Sequence, residues 1–189
     1  MLALFYLYHR QIDWLQSNIE ANKGPYMIAV YAISSNPPTW GHADIMMRAA
    51  EKFDKLYWCC AHNPAKKSLF SLEEKLKMMQ IYVDYYKLKN VELDTIEGAT
   101  ARYASEKGAK FMIRGLRSTA DFQFEYEISI GNRGIDKDIE TICMFTKPHY
   151  ATISSSIVRE LAGLGESISQ YVHPKVEKII KGNSNLSQP

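Results

Sequence analysis

Five short runs of β-branched and aromatic residues alternate with longer segments of helical period along this chain. Such alternation is typical of βαβ units, in which crossover helices join parallel strands. The predicted strands span residues 27–33, 55–61, 91–96, 110–113 and 140–145, and the predicted helices span 41–53, 71–86, 100–107, 119–133, 154–164 and 174–181. We therefore expect an α/β fold: a Rossmann-like open five-stranded parallel sheet with flanking helices and C-terminal helices.

The length of 189 residues fits one domain, which we place at residues 27–182. Residues 1–26 are predicted to be an N-terminal extension with a short helix, because Ile12, Leu15 and Ile19 recur at helical spacing. An alternative is that Met27 is the natural start. Residues 183–189 are polar and are predicted to form a flexible tail.

The charge balance argues against a nucleic-acid partner. The formal net charge is +2, so no broad basic footprint is present and any anion site must be local. Cys59, Cys60 and Cys143 have neither the number nor the spacing of a disulfide framework or a zinc site, which predicts a cytoplasmic protein. The apolar run at residues 2–8 is too short to span a membrane, so no membrane partner is expected.

Basic and hydroxyl side chains follow several predicted strands. In an open parallel sheet, ligands bind outside the carboxyl ends of the strands. The segments expected at that edge are Ser34 to His42, His62 to Lys67, Arg114 to Arg117, and Lys147 to Ser156. Because phosphate groups bind to such side chains and to helix N-termini, the sequence predicts a phosphate-binding edge.

Three motifs at this edge suggest specific chemistry. Gly41 and His42 would open a helix, where an imidazole can donate to a phosphoryl oxygen, although Thr39 also reads as a plain helix cap. Arg114 and Arg117 flank a glycine and suit bidentate phosphate binding, whereas a solvated turn is the alternative. The hydroxyls of residues 154–156 would cap a helix or hold phosphate. Lys66 and Lys67 could be plain surface charges, and only the neighbouring arginine loop favours a polyanion that both segments bind.

The combination resembles the nucleotidylyltransferase superfamily, and residues 27–181 are similar to the bacterial phosphopantetheine adenylyltransferase family. The resemblance rests on Thr-x-Gly-His at 39–42, Asn-Pro-Ala-Lys-Lys at 63–67, Phe-Ser-Leu-Glu-Glu at 70–74, Ile-Arg-Gly-Leu-Arg at 113–117, Ala-Asp-Phe at 120–122 with Glu125, Asn-Arg at 132–133 and Ile-Ser-Ser-Ser-Ile-Val-Arg-Glu at 153–160. It implies transfer of AMP from ATP to 4′-phosphopantetheine, giving dephospho-coenzyme A and pyrophosphate in coenzyme A biosynthesis.

The resemblance also implies roles for individual residues. ATP would be bound by Ser34, Ser35, His42, Gly115, Leu116, Arg117, Glu125, Tyr150, Ala151, Thr152, Ile153, Ser154, Ser155 and Ser156, and phosphopantetheine by Ser34, Lys66, Thr100 and Arg114. His42 would be the catalytic residue. Mg²⁺ is the implied cofactor, with no residue assigned as its ligand. A homohexamer and feedback binding of coenzyme A are implied as well.

The chain departs from the family pattern after the first strand. Ile33 replaces a glycine and is expected to crowd ATP, Ser35 replaces an aromatic residue, and Asn36 replaces a carboxylate. Phe124 stands where the family has tyrosine. Two alternatives stay open: a nucleotidylyltransferase for another acceptor, such as a nicotinamide-type mononucleotide, or a noncatalytic nucleotide- or coenzyme A-binding relative disabled at Ile33.

Overall fold

The computed structural model describes residues 24–62 and 68–183. Most of the predicted N-terminal extension, the Lys66 loop and the tail beyond residue 183 lie outside these ranges.

The sheet consists of five parallel strands: β1 (Ile28–Ile33), β2 (Lys55–His62), β3 (Val91–Glu97), β4 (Phe111–Leu116) and β5 (Glu140–Phe145). Their order in the sheet is β3-β2-β1-β4-β5. The chain therefore winds outward in one direction from β1 to β3 and then crosses back to β4. The predicted Rossmann-like parallel sheet is confirmed, and its switch point lies between β1 and β4, where such folds bind ligands.

Six α-helices occur in the described part of the chain: α1 (Trp40–Ala50), α2 (Leu72–Tyr86), α3 (Thr100–Glu106), α4 (Thr119–Ile135), α5 (Ser155–Gly163) and α6 (Pro174–Lys181). Side-chain caps define several of their starts. At α2, the Ser71 hydroxyl accepts from the Glu74 N–H while the Glu74 carboxylate accepts from the Ser71 N–H, which is a capping box. Ser118 and Ser154 cap α4 and α5 in the same position.

The fourth strand is longer than the sequence pattern predicts. Arg114, Gly115 and Leu116 were expected in a loop, yet they continue β4 and pair with residues 143–145 of β5. The charged arginine and the glycine end the apolar run, so periodicity alone stops the strand at Ile113. Pairing with a neighbouring strand extends it, because backbone hydrogen bonds do not depend on side-chain polarity.

The core lies on both faces of the sheet. Alternate residues of β1 divide between them: Ala29, Tyr31 and Ile33 pack on the face that α1 covers, while Val30 and Ala32 pack on the face that α3 covers. This two-sided burial explains the continuous apolar run of β1. None of the helices in the described residues is long and apolar enough to cross a membrane.

Candidate functional site

A cleft of about 530 Å³ opens at the carboxyl ends of β1 and β4. Its walls come from the loop after β1, the start of α1, the end of β4, the start of α4 and the start of α5. The lining residues are Tyr31, Ala32, Ile33, Ser34, Thr39, Gly41, His42, Ile45, Ala61, Thr100, Arg114, Gly115, Arg117, Asp121, Phe124, Glu125, Thr146, Ile153, Ser154, Ser155 and Ser156. Segments far apart in sequence thus meet at the switch point of the sheet.

His42 lies in the first turn of α1 with its ring held in one orientation. The Thr39 N–H donates to Nδ1 of His42 at 3.1 Å, and the Thr39 hydroxyl lies 2.9 Å from the same nitrogen. Because Nδ1 accepts a hydrogen bond, the proton of the neutral ring is on Nε2. Burial, and then the nearby Arg117 guanidinium, lower the pKa of His42 to about 4. The side chain is therefore a neutral hydrogen-bond donor on the cleft wall at neutral pH.

Arg114 is fixed in the cleft by a carboxylate from α4. Its Nε and Nη2 donate to the two carboxylate oxygens of Glu125 at 2.5 and 2.6 Å, and its Nη1 donates to the Ala32 carbonyl at 3.2 Å. These three bonds set the plane of the guanidinium. One N–H on each of Nη1 and Nη2 remains to bind a ligand. Glu125 therefore orients Arg114 without using all of its donors.

Arg117 has a second carboxylate partner on the same helix. Its Nε and Nη2 lie 3.1 and 3.2 Å from the Asp121 oxygens, and its backbone N–H donates to Asp121 at 2.9 Å. Burial raises the pKa of the Asp121 carboxyl, but the hydrogen bonds and charge of Arg117 outweigh that effect and lower the pKa overall. Each cleft arginine is thus held by one carboxylate of α4, and helix α4 positions both cations.

Gly115 allows close packing between β4 and α1. A Cβ built on Gly115 would lie 3.3 Å from Cγ1 of Ile45 and 3.8 Å from the Tyr31 hydroxyl oxygen. A Cβ here would force the Ile45 side chain to give way by a few tenths of an ångström, so the glycine favours this close approach.

The start of α5 is fastened to the loop after β1. The Ser155 hydroxyl donates to the Pro37 carbonyl at 2.8 Å, and Arg159 donates to the Asn36 carbonyl at 2.5 Å and to the Ser156 hydroxyl at 3.2 Å. The Ser154 hydroxyl accepts from the Ile157 N–H as the helix cap. The N-terminus of α5, with its positive dipole end, is thereby held at the cleft.

A buried carboxylate on α1 anchors the segment that leads from β5 to α5. Asp44, whose side chain is almost inaccessible, lies 2.7 Å from Lys147 Nζ and 3.1 Å from Arg48 Nη1. Arg48 also donates to the Phe145 carbonyl at 2.9 Å. This network ties the end of β5 to the helix that carries His42.

The cleft unites many of the predicted site residues. Those that line it are Ser34, His42, Thr100, Arg114, Gly115, Arg117, Glu125, Ile153, Ser154, Ser155 and Ser156. Ser35 and Leu116 do not line it, because both side chains are buried in the protein. Ser35 adopts a left-handed conformation, with φ of 50°, and its hydroxyl has no hydrogen-bond partner within the described ranges. Tyr150, Ala151 and Thr152 lie outside the lining, and Lys66 lies outside the described residues.

Sequence reasoning missed part of the lining. Tyr31 and Ile45 read as ordinary core residues because their apolar periodicity hides the end that reaches the cleft. Asp121 entered only as part of a matching stretch, and Thr146 carried no signal at all. The (i, i+4) spacing of Arg117 and Asp121 was the one available clue to their pairing.

The acidic groups in the cleft do not form a metal cage. No group of three or more histidine, cysteine, aspartate or glutamate residues that would hold a metal ion occurs within residues 24–62 and 68–183. Asp121 and Glu125 each pair with an arginine instead. A divalent cation would therefore have to bring most of its oxygen ligands with it, as Mg²⁺ does when it binds through phosphates and water.

Comparison with known proteins identifies close sequence relatives. Residues 34–161 match the model of the cytidylyltransferase-like family. The chain is 41% identical over 154 residues to a phosphopantetheine adenylyltransferase of Desulforudis audaxviator, covering 82% of this chain and 93% of the relative. It is 45% identical over 150 residues to a phosphopantetheine adenylyltransferase of Carboxydothermus hydrogenoformans, covering 79% and 91%.

Solved structures share the fold at much lower identity. A structure from Vibrio parahaemolyticus has a TM-score of 0.64 and 18% identity, with 85% of this chain and 94% of that chain covered. The nicotinic acid mononucleotide adenylyltransferase of Plasmodium falciparum, complexed with NaAD, has a TM-score of 0.62 and 16% identity, with 81% and 93% covered. At these identities the likeness establishes the architecture alone.

Proposed function

The chain belongs to the cytidylyltransferase-like family and within it to the phosphopantetheine adenylyltransferases, and we propose that its cleft joins the AMP part of ATP to 4′-phosphopantetheine. The protein is an adenylyltransferase of coenzyme A biosynthesis. The products of the proposed reaction are dephospho-coenzyme A and pyrophosphate.

The observation that carries this proposal is the grouping of a neutral imidazole donor with two oriented guanidiniums in one cleft. His42, Arg114 and Arg117 all line it, although β4 and α1 are far apart in sequence. Two separate cations suit a reaction that brings two anionic substrates together. We assign Arg114, with Ser34 and Thr100, to the acceptor phosphate. Arg117 and the start of α5 are assigned to the nucleotide.

Glu125 takes a different role from the one the family resemblance implies. The resemblance assigns it to the nucleotide, but in this structure its carboxylate is engaged with Arg114. A carboxylate facing a polyanion would repel it unless a cation intervened. We therefore propose that Glu125 positions Arg114 for the acceptor phosphate.

The chemistry needs little from the protein beyond placement and charge stabilisation. A phosphate monoester is already anionic near pH 7, so the attacking oxygen requires no general base. In-line attack on the α-phosphate transfers negative charge to its oxygens and to the departing pyrophosphate. His42 Nε2–H would donate to that developing charge, and its neutral ring neither takes up nor releases a proton.

Mg²⁺ is proposed to enter with ATP. When bound, the ion would neutralise phosphate charge, and Asp121 and Glu125 would remain paired with their arginines. Coenzyme A, which contains both halves of the proposed product, would compete for the same cleft. This competition would provide feedback on the reaction.

The proposal is tested by incubating the purified chain with ATP, Mg²⁺ and a panel of phosphorylated acceptors, then identifying products by mass. The expected result is dephospho-coenzyme A formed only with 4′-phosphopantetheine, with one pyrophosphate released for each product. Adenylylation of a nicotinamide-type mononucleotide instead would refute the acceptor. ATP binding without any product would favour the noncatalytic alternative.

We also propose a cytoplasmic homo-oligomer, with the family hexamer as the expected order. Only Glu125 and Asn132 of the 17 residues of α4 are buried, while several of its aromatic and aliphatic side chains are exposed. The exposed ones are Phe122, Phe124, Tyr126, Ile128, Ile130 and Ile135. A helix with apolar residues so widely exposed is expected to be covered by another subunit.

Light scattering tests the assembly. Ile130→Glu should reduce the molar mass, whereas Leu164→Glu, at an exposed apolar residue that caps the end of α5, should not. An unchanged mass for the Ile130 variant would rule out α4 as the interface.

A further inference from the structure

Tyr31 lines the cleft and carries a hydroxyl for which the described residues provide no hydrogen-bond partner. Tyr31 is 4% exposed, and its ring packs with Ile45, Met46 and Ile113 in the core between the sheet and α1. The residue nevertheless lines the cleft. Within the part of the chain that the structure describes, no hydrogen bond to its hydroxyl is formed. Among the described residues, the hydroxyl oxygen is not one of the fully enclosed polar atoms that lack a partner, so solvent or a molecule bound in the cleft can reach it.

The position of the hydroxyl shows which part of the cleft it serves. Its oxygen would lie 3.8 Å from a Cβ at Gly115, so it sits beside the residue that separates Arg114 from Arg117. A side chain at Gly115 would contact the hydroxyl at van der Waals distance. The absent Cβ leaves that space open at the wall formed by β4 and α1.

The chemical state of the phenol also fits a donor role. Burial raises the pKa of Tyr31 far above its usual value, with the charges of Arg114, Glu125, Arg117 and Asp44 making smaller and partly cancelling contributions. The phenol thus keeps its proton throughout the neutral and mildly alkaline range. An O–H that keeps its proton can donate to an anionic or hydroxyl oxygen and discriminates against ligands that lack one.

We propose that the Tyr31 hydroxyl donates a hydrogen bond to an oxygen of the ribose 5′-phosphate part of the bound nucleotide, and so fixes the nucleotide against β4. This inference rests on the proposed function, because it assigns the Gly115 and Arg117 side of the cleft to ATP. Tyr31 is then a binding residue that the sequence motifs do not include.

The test is Tyr31→Phe, which removes one oxygen and keeps the ring. Because no described protein group loses a partner, the thermal midpoint should stay within about 2 °C of the parent. The dissociation constant for ATP, measured by calorimetry, should rise roughly tenfold, which is the low end of the range for a hydrogen bond to a charged group. The affinity for 4′-phosphopantetheine should stay within about twofold.

Tyr103→Phe is the matched control. The Tyr103 hydroxyl donates to Asp94 at 2.7 Å and Tyr103 does not line the cleft. This variant should lower the thermal midpoint by several degrees and leave the ATP affinity unchanged. The opposite behaviour of the two tyrosines separates a ligand contact from a structural one.

Binding of 2′-deoxy-ATP and 3′-deoxy-ATP identifies the acceptor atom. If the tenfold loss persists with both analogues, the hydroxyl binds a phosphate oxygen; if it vanishes with one of them, that ribose hydroxyl is the partner. An unchanged ATP affinity in Tyr31→Phe, a loss confined to the acceptor, or a large drop in thermal midpoint overturns the inference.

The inference and the proposed function fail separately. A parent chain that binds ATP but forms no product refutes the reaction, and the Tyr31 comparison still decides the contact. A parent chain that binds no ATP refutes both, since the hydroxyl then has no nucleotide to bind.

Discussion

Replacement of Ile33 by glycine tests whether this chain carries a partly obstructed nucleotide site. Ile33 ends β1, pairs with Cys60, packs in the core against α1 and lines the cleft, with 9% of its surface exposed. Its φ is not positive, so the backbone conformation does not require glycine. The family glycine would then matter only by leaving space for the ligand.

The two effects of the substitution oppose each other. Removing a buried isoleucine side chain to Cβ costs about 2–5 kcal/mol, and glycine in a strand adds roughly 0.5–1 kcal/mol. Because part of the side chain already faces the cleft, we expect a net loss of about 2–4 kcal/mol in the free energy of unfolding. Relief of crowding worth about 1 kcal/mol would tighten ATP binding roughly fivefold.

Urea denaturation measures the stability and calorimetry the ATP affinity, with Ile33→Ala as the matched control. If the isoleucine atoms beyond Cβ crowd ATP, Ile33→Ala should gain most of the affinity that Ile33→Gly gains. If Cβ itself crowds ATP, only Ile33→Gly should bind ATP more tightly. A loss of stability without a gain in ATP affinity or turnover would show that the loop already accommodates isoleucine. Binding of ATP by the glycine variant alone would support a noncatalytic parent.

Four further predictions concern the cleft side chains. His42→Ala should lower kcat on the order of a hundredfold while ATP affinity stays nearly unchanged, and equal turnover would refute its role. Because the pKa of His42 falls to about 4 on folding, the unfolded chain binds more protons between pH 4 and about 6.5; stability should therefore rise as pH is raised through that window and be lost as pH falls, with a smaller slope in His42→Ala when unfolding is followed against pH. Arg114→Ala should weaken phosphopantetheine binding by roughly 1.5–3 kcal/mol and ATP binding by less, which calorimetry with each ligand will check. Glu125→Gln should raise KM for phosphopantetheine more than KM for ATP, and steady-state kinetics showing the reverse would return Glu125 to the nucleotide.

Hydrophobic periodicity predicts the helices and strands of the fold closely. Where an observed element ends at a different residue from the predicted one, the difference has a physical cause. The continuous apolar run of β1 and the capping signal at Ser71 are local, so both are legible in the sequence. The end of β4 is not, because the pairing of Arg114 with Cys143 depends on a strand that comes later in the chain. Helix α4 runs two residues past its predicted end at Arg133.

The candidate site was less accessible to sequence reasoning than the fold. Motif residues such as His42 and Arg114 were identified by their chemistry, and the structure brings them to one cleft. The pairing of Arg114 with Glu125 joins a strand to a helix and leaves no periodic trace. Tyr31 illustrates a second limit: a residue whose ring is core and whose hydroxyl faces the cleft reads only as core.

The fastening of α5 to the loop after β1 sets an order of events during synthesis. Ser155 and Arg159 contact the carbonyls of Pro37 and Asn36 across separations of 118 and 123 residues. The loop therefore leaves the ribosome long before the residues that bind it, and the sheet can assemble around β1 while the cleft wall formed by α5 is missing. Closure of such a distant contact is slow relative to local structure. A nascent chain that stops before α5 would hold most of a folded sheet beside a cleft that lacks one wall.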